Sequence, residues 1–483
     1  MITFFVSIAL LIGGYVIYGT LVERIFGVER NRQTPAYALA DGVDYVPMKW
    51  GRVFLIQFLN IAGLGPIFGA VMGAMYGPSA FLWIVFGSIF GGAVHDYLSG
   101  MMSLRNHGMS LPELGGKYMG GTFKQFMRGF TVVLMVLVGA VFIAGPARLL
   151  ADLTPLWMDY TWWIVVIFIY YVLATLLPID RLIGKIYPVF GAALLFMATG
   201  ICFALIWNHA PVPEATPGNL YNMHPDAGNY PLFPMLFISI ACGAISGFHA
   251  TQSPLMARCL ENEKQGRRVF YGAMITEAIV ALIWAAAAMS FFGSVGGLHA
   301  FLEANGNNAA VVVQKIADSW LGKVGGLLAI FGVIAAPITS GDTAFRSARL
   351  IVADFLHFGQ KKLANRIWIS LPLFLAGFIL LQVNFDIIWR YFAWANQTLA
   401  TATLWMIAVY LASRKKTYWF TLLPALFMTM VVSTYILMAP EGFRLNYELS
   451  LCLSAAVTLA LGGWFLKTFA CPKGIKRRFP DAG

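Results

Sequence analysis

Long apolar runs separated by short polar connections account for most of the chain. Thirteen of these runs come close to or exceed the roughly 20 residues that a helix needs to cross a bilayer. The predicted spans are 2–22, 53–75, 81–104, 129–150, 161–178, 186–208, 233–258, 269–292, 323–353, 367–383, 387–412, 418–438 and 448–468. This pattern predicts an all-α polytopic membrane protein with about 13 transmembrane helices.

Basic residues are concentrated in every second connection between the predicted spans. Arg30 and Arg32 follow the first span, and Lys415 and Lys416 precede the twelfth. By the positive-inside rule these connections face the cytoplasm, whereas the loop 209–232, which has no Lys or Arg, faces outward. We therefore expect a multi-pass membrane protein with its N-terminus outside and its C-terminus in the cytoplasm.

Composition supports the same assignment. The chain of 483 residues is 59% hydrophobic and 11% charged, and its mean hydropathy is +0.73. These values exclude an ordinary soluble enzyme. The net charge of +11 would suggest a nucleic-acid partner in a soluble protein, but here the orientation of the basic connections accounts for it. The expected partners are the lipid bilayer and a small molecule, without nucleic acid.

Two predicted spans are interrupted by residues that weaken a helix. The first contains FLNIAGLGPIFGAVMG at 58–73, and the second contains ACGAISGFHA at 241–250. The two spans are five apart and run in opposite directions. Paired interruptions in oppositely oriented halves indicate an inverted-repeat transporter whose binding site lies between the broken helices. Irregular backbone at membrane depth also requires protein, water or ligand to satisfy its polar groups.

A simpler explanation exists for part of the first interruption. Gly65, Gly69 and Gly73 follow one another at four-residue intervals, which is also a ridge of small residues that lets two helices pack closely. Pro66 beside Gly65, together with the second interruption, favours a binding site. We expect the substrate-binding residues in and beside the two interruptions: Asn60, Gly63, Gly65, Gly243, Ser246 and His249.

Recognition of a negatively charged substrate would depend on the backbone at these interruptions. Neither 53–76 nor 233–257 contains a Lys or Arg. A freed helix N-terminus carries about half a positive charge and attracts anions, so a carboxylate is the expected ligand group. His249 could instead be a hydrogen-bonded packing residue. Asn396 and Gln397 could satisfy either free backbone groups or a polar substrate.

Several long motifs resemble the carbon-starvation (CstA) family of bacterial membrane transporters, which includes proteins associated with peptide and pyruvate uptake. The chain departs from the family pattern at His95, where members carry Gln. The motifs that carry the resemblance are DGVDYVP (41–47), IAGLGPIFG (61–69), GAVHDY (92–97), SLPELGGKYMG (110–120), PLFPMLFISIACGAISGFHA (231–250), YGAMITE (271–277), TSGDTAFRSAR (339–349) and ANQ (395–397).

The resemblance implies secondary transport and a LeuT-like core of five plus five helices in inverted repeat, with one helix before it and two after. The implied divisions are an N-terminal helix and cytoplasmic loop (1–52), a first repeat (53–208), an extracellular loop (209–232), a second repeat (233–412), and two C-terminal helices with a basic tail (413–483).

Ionisable residues within the spans are functional candidates, because each costs at least about 2.5 kcal/mol near a span centre. In LeuT-like proteins the helix corresponding to 323–353 supplies hydroxyls to an ion site against the unwound first core helix. Thr339, Ser340 and Asp342 match that placement. Asp96 is a further coupling candidate. At a rise of about 1.5 Å per residue, it lies about 12 to 14 Å from the cytoplasmic end of its span.

Glu277 lies at a depth similar to that of Asp96, and Arg346 lies one turn beyond Asp342. A permanent positively charged partner would hold a carboxylate ionised across ordinary pH. We therefore expect Glu277 and Arg346 to form a structural ion pair. No metal site or cofactor is expected, because the five cysteines lack CxxC spacing and resemble small apolar residues.

The sequence favours a secondary active importer over two other classes. The chain has no HExxH, GxSxG or Walker A pattern, which argues against a membrane-embedded enzyme. A passive channel would instead show a filter or a pore-lining ring. The expected substrate is a small carboxylate-bearing nutrient, either a short peptide or amino acid or a monocarboxylate such as pyruvate. A proton is the expected coupling ion, with Na⁺ as the alternative.

Overall fold

Helices form nearly all of the ordered structure. The computed structural model describes residues 1–42, 44–176, 183–360, 362–383 and 385–470. Within these ranges no strand is present, and an isolated bridge joins Met48 to Leu260. Three parts of the predicted basic connections lie outside the described residues. They are Arg181, Lys361 and the tail at 471–483.

The described chain contains seventeen helical segments of eight residues or more, some with short 3₁₀ or π turns. They are α1 (Ile2–Phe26), α2 (Trp50–Ile61), α3 (Gly65–Tyr76), α4 (Ser79–Arg105), α5 (Leu111–Met119), α6 (Gly121–Leu153), α7 (Tyr160–Leu176), α8 (Ile183–Trp207), α9 (Leu232–Ser239), α10 (Gly247–Ala257), α11 (Glu263–Phe291), α12 (Val295–Ala304), α13 (Ala309–Leu356), α14 (Leu363–Leu380), α15 (Phe385–Ser413), α16 (Trp419–Met438) and α17 (Tyr447–Phe469). The longest, Ala309–Leu356, is divided by a kink at Gly322, whose φ is 68° and ψ 179°.

The helices agree with a multi-pass membrane protein. Among the described residues, eight helices are long and apolar enough to cross a membrane, and the bent pair α2 and α3 makes a ninth. A helix or a broken pair of helices underlies each of the thirteen predicted spans. Thirteen crossings and a five-plus-five repeat stay predictions, because several helices, such as α7 and the two halves of the second interruption, are too short or too polar to meet the same criterion alone.

The apolar helices form an inner and an outer group. In α4 and α11, 83% of the most apolar window is buried inside the protein, whereas the figure is 22% for α1 and 17% for α17. Since the outer helices expose apolar side chains such as Ile17 and Leu459, their free faces suit contact with lipid. The helices at the two ends of the chain therefore cover the inner group and expose one face.

Both interruptions occur where the sequence predicts them. The first separates α2 from α3, whose axes differ by 56°. The second separates α9 from α10, and Gly243 between them has a φ of +92°. That value lies in the left-handed region, which residues with a Cβ rarely adopt. Glycine at 243 is therefore required by the backbone of the second interruption.

Connections assigned to one side of the membrane contact one another. On one side, the Glu214 carboxylate of the 209–232 loop accepts hydrogen bonds from the Ile2 amide at 2.9 Å and the Thr3 amide at 2.7 Å. Burial alone would raise the pKa of Glu214, but these bonds and the N-terminal amine lower that pKa to about 2. On the other side, Arg105 Nε lies 2.6 Å from Glu263 Oε1. The alternating assignment of connections is thus internally consistent.

We expect opposite labelling of two exposed connections in intact cells. Ala227→Cys in the 209–232 loop should react with a membrane-impermeant maleimide, whereas Arg414→Cys should react only after permeabilisation, because both positions are exposed and the charge rule assigns them to opposite sides. The parent protein provides the background, since Cys452 is also exposed. Reaction of Arg414→Cys alone in intact cells would show that the orientation is the reverse of the one expected.

Candidate functional site

The two interruptions contact each other at the centre of the protein. A Cβ placed on Gly65 would lie 2.1 Å from Cβ of Cys242, and a Cβ placed on Gly243 would lie 2.6 Å from Cβ of Ala281 and 3.7 Å from Cα of Pro66. The distances to Cys242 and Ala281 are far shorter than van der Waals contact, whereas 3.7 Å is an ordinary contact. Glycine at 65 therefore lets the two irregular segments pack closely, and glycine at 243 lets the second segment pack against α11.

The ridge of small residues is a packing surface in this structure. Added Cβ atoms on Gly69 and Gly73 would lie 2.8 Å from the Ser239 carbonyl oxygen and 2.2 Å from Cγ1 of Ile240. The ridge therefore packs against the end of α9, as the packing explanation requires. Gly63 lies elsewhere, where an added Cβ would be 2.6 Å from the Phe142 ring.

Side chains from neighbouring helices satisfy the backbone of the second interruption. Trp83 Nε1 donates to the Ile240 carbonyl at 2.9 Å, and the Ser88 hydroxyl donates to the Gly243 carbonyl at 2.8 Å. The Phe248 amide, at the start of α10, donates to Asn396 Oδ1 at 2.7 Å. The helix end that could attract a carboxylate is thus held by Asn396 in this conformation.

Two further polar side chains extend this arrangement. The Ser246 hydroxyl lies 2.9 Å from Asn396 Nδ2 and 3.1 Å from its Oδ1, and Gln397 Nε2 donates to the Phe237 carbonyl. Of the two roles that the sequence left open for Asn396 and Gln397, the structure shows the satisfaction of free backbone groups.

The predicted coupling residues on α13 lie beside the first interruption. The Ser340 hydroxyl lies 3.0 Å from the Leu59 carbonyl oxygen, close to the end of α2, and 2.9 Å from the Ala336 carbonyl oxygen of its own helix. Asp342 is fully buried, and its Oδ2 accepts a hydrogen bond from the Tyr170 hydroxyl at 2.9 Å. The Thr339 hydroxyl donates to the Ala336 carbonyl of its own helix at 2.8 Å.

Buried amides at the end of α2 have no hydrogen-bond partner within the described residues. Gln57 and Asn60 are both fully buried, and neither the oxygen nor the nitrogen of either amide is paired. Because the residues are three apart on a helix, they lie on one face. Unpaired buried amides are costly, so they mark a place for water or for the polar groups of a substrate.

A chain of four buried ionisable side chains runs beside the second interruption. His95 Nδ1 lies 2.7 Å from Asp96 Oδ1, Asp96 Oδ2 lies 2.9 Å from His249 Nδ1, and His249 Nε2 lies 3.4 Å from Glu277 Oε2. All four side chains are fully buried. Asp96 thus contacts two histidines, and no described contact joins it to Asp342, with which the sequence grouped it.

The expected ion pair between Glu277 and Arg346 is wrong for this structure. Glu277 faces His249, whereas Arg346 donates to the Ala174 carbonyl at 2.6 Å and lies 3.7 Å from Asp44. The position of Arg346 one turn beyond Asp342 suggested that it could meet a carboxylate, but it did not determine the side of the helix on which Arg346 or Glu277 lies. The direction in which each side chain points decides which partner it contacts.

Cys242 belongs to the site, which sequence reasoning missed. The Cys242 sulfur, a His249 ring nitrogen and a Glu277 carboxylate oxygen all lie within 4.8 Å of one another. Cys242 resembled an apolar residue in the sequence because no second cysteine or histidine stands at a metal-ligand spacing. Its position within the second interruption was the signal that could have identified it.

Comparison with known proteins assigns the chain to a family. Residues 1–155 and 151–320 match the family model described as carbon starvation protein CstA. The chain is 45% identical to an uncharacterized membrane protein of Haemophilus influenzae over 339 residues, 60% of this chain and 91% of that one. It is 24% identical to the peptide transporter CstA of Bacillus subtilis over 88% of each chain.

A second named relative and a solved structure add to this comparison. The chain is 26% identical to the pyruvate/proton symporter BtsT of Escherichia coli, over 86% of this chain and 78% of that one. The fold is similar to that of a manganese transporter from Eremococcus coleocola, with a TM-score of 0.55, 13% identity, and coverage of 91% of this chain and 99% of that one. The chain therefore belongs to the carbon starvation protein CstA family of membrane transporters.

Proposed function

We propose that this protein is a secondary active importer of a small carboxylate-bearing nutrient. It would work by alternating access in the bacterial inner membrane, through thirteen spans with a LeuT-like core. The observation that carries the proposal is the direct contact between two broken helices, Gly65 against Cys242, beside the unpaired buried amides of Gln57 and Asn60. Broken helices that meet in this way form substrate sites in inverted-repeat transporters.

Buried positive charge supports a carboxylate-bearing substrate. Arg349 on α13 is 1% exposed, and none of its three guanidinium nitrogens has a hydrogen-bond partner among the described residues. A buried charge without a partner is costly, and a guanidinium binds carboxylates in bidentate geometry. An anionic substrate passing this level would supply that partner.

Relatives set the range of substrates. One is named a peptide transporter and another a pyruvate/proton symporter. A short peptide, an amino acid and a pyruvate-like monocarboxylate all combine a carboxylate with few other polar groups. Such ligands suit a site with two buried amides that are unpaired among the described residues.

Ion coupling is proposed at Asp342, together with Ser340 and Thr339. The Ser340 hydroxyl holds the Leu59 carbonyl, so a change at this part of α13 is transmitted directly to the first interruption. A buried carboxylate that gains and loses a proton would link the proton gradient to that movement. Na⁺ is the alternative ion, because hydroxyl, carbonyl and carboxylate oxygens also coordinate hard cations.

The carrier assignment is favoured over a channel or an enzyme. Side chains from α4, α13 and α15 fix the backbone on both sides of the interruptions, as a gated substrate site requires, and the named relatives are transporters. A channel would permit passive flux in both directions. Counterflow exchange in proteoliposomes separates the two, because only a carrier exchanges labelled for unlabelled substrate.

Replacing Asn60 with Leu should weaken substrate binding without weakening the fold. The loss of one hydrogen bond to a buried amide costs about 1 to 3 kcal/mol, which is roughly a 5- to 150-fold weaker affinity. Because Asn60 has no described protein partner, the melting temperature should stay equal or rise. The matched control is Asn396→Leu, which removes the partner of the Phe248 amide and should lower the melting temperature. A clear drop for Asn60→Leu with unchanged affinity would give Asn60 a structural role.

Asp342→Asn should abolish concentrative uptake while leaving exchange of bound substrate. The amide cannot take up and release the coupling proton, yet it keeps a similar volume. Proteoliposome uptake with and without an imposed proton or Na⁺ gradient measures the effect. Asp354→Asn, an exposed position on the same helix, is the control and should behave as wild type. Concentrative uptake by Asp342→Asn at wild-type stoichiometry would show that another residue couples the ion to transport.

Amidation of the substrate carboxylate should remove most of its affinity. A charge-assisted hydrogen bond is roughly twice as strong as a neutral one, so an uncharged amide analogue loses both the charge and the bidentate geometry. Thermal-shift titrations with pyruvate against pyruvamide, and with a dipeptide against its amide, provide the comparison. Equal shifts for an acid and its amide would mean that the carboxylate is not recognised.

A further inference from the structure

Three different donor groups meet inside the second interruption. The Cys242 thiol comes from the irregular segment itself, the His249 imidazole from α10 and the Glu277 carboxylate from α11. One ligand atom of each lies within 4.8 Å of the others, and all three residues are buried. Three elements of the fold thus contribute one donor each to a single small volume.

The separation between His249 and Glu277 fits a shared metal ion better than a direct hydrogen bond. His249 Nε2 lies 3.4 Å from Glu277 Oε2, whereas charge-assisted hydrogen bonds measure about 2.7 to 2.9 Å. Metal bonds of about 2.0 to 2.2 Å at a tetrahedral angle place nitrogen and oxygen ligands about 3.3 to 3.5 Å apart. Neither His249 Nε2 nor either Glu277 oxygen makes a hydrogen bond of normal length and angle in the described part of the chain.

The surrounding residues orient the imidazole as metal sites do. Asp96 Oδ2 lies 2.9 Å from His249 Nδ1, and a carboxylate at that nitrogen holds the proton there and turns the lone pair of Nε2 towards Glu277. His95 in turn lies 2.7 Å from the other Asp96 oxygen. In metal sites the ligating histidine commonly donates its other ring N–H to a carboxylate in this way.

Charge also favours a cation at this place. A thiolate and a carboxylate buried side by side would repel each other and pay a desolvation cost, whereas a divalent cation neutralises both. The Cys242 sulfur also lies 3.6 Å from Asn396 Nδ2, a donor that suits a thiolate. Sulfur and imidazole ligands select zinc-like ions over Mg²⁺ or Ca²⁺.

We propose that Cys242, His249 and Glu277 bind a divalent transition-metal ion of the Zn²⁺ class. Three protein ligands leave the fourth position of a tetrahedral ion for water or another small donor. A bound ion would tie the irregular segment to α10 and α11. The proposal does not depend on the transported substrate, because metal binding is measured on the purified protein without it.

The test is metal binding by purified protein in detergent after chelator treatment. Cobalt(II) is the spectroscopic probe, and we expect about one equivalent to bind with a thiolate-to-metal charge-transfer band, and Zn²⁺ to displace it. Zn²⁺ should also raise the melting temperature, because a ligand that binds the folded state stabilises it. Absence of a stoichiometric ion, or a cobalt spectrum without the thiolate band, would overturn the proposal.

Variants identify the ligands. Asp96→Asn should weaken Co²⁺ binding by about 10- to 100-fold, as expected for loss of the carboxylate that orients a ligating histidine, and Cys242→Ser and Glu277→Gln should weaken it further. Cys259→Ser is the matched control, since Cys259 is also a free buried cysteine, and it should bind Co²⁺ as wild type does. If Cys242→Ser does not fold, Glu277→Gln and Asp96→Asn decide the question. Wild-type affinity in both of those variants would contradict the assignment.

Discussion

The absence of water in a bilayer interior is the constraint on which this structure depends. A helix that breaks there exposes amide and carbonyl groups that only protein or ligand can satisfy. Trp83 and Ser88 donate hydrogen bonds to carbonyls of the second interruption, and Asn396 accepts one from the amide at the start of α10. The Ser340 hydroxyl lies within hydrogen-bond distance of a carbonyl beside the first interruption. The inner helices are therefore joined through the interruptions, and movement of one segment requires new partners for these groups.

The same constraint explains where the ionisable side chains lie. A charge in a low-dielectric interior needs a partner, and the buried acids meet it in different ways. Asp96 lies between two histidines, while Asp342 accepts a hydrogen bond from Tyr170. One Glu277 oxygen lies 3.4 Å from His249 Nε2, and both Glu277 oxygens are unpaired among the described residues. Among the described residues, the unpaired atoms of Gln57, Asn60, His249 and Glu277 lie next to the interruptions, where a substrate or an ion can complete them.

Much of the fold was predictable because helix length and apolar content are local properties. The spans, both interruptions and the position of Ser340 beside the first one follow from runs of apolar residues, glycine and proline, and from the family resemblance. The partner of Glu277 was not predictable. Depth along a span can be counted from sequence, but the direction in which a side chain points depends on how the helix is rotated against its neighbours. The same limit hid Cys242, whose thiol resembles an apolar group until His249 and Glu277 lie beside it.

The sequence by itself determined that the chain is a helical membrane protein with two weakened spans, and its long motifs identified the CstA family. The helical spans and their interruptions need only the order of apolar, charged and helix-breaking residues. Only the tertiary structure decided that Gly65, Gly69 and Gly73 pack against the end of α9 and the segment after it, and that Asn396 holds the start of α10. A glycine can serve flexibility, a bound ligand or close packing equally well. Which of these applies depends on the atoms across the interface, and residues far apart in the chain supply those atoms.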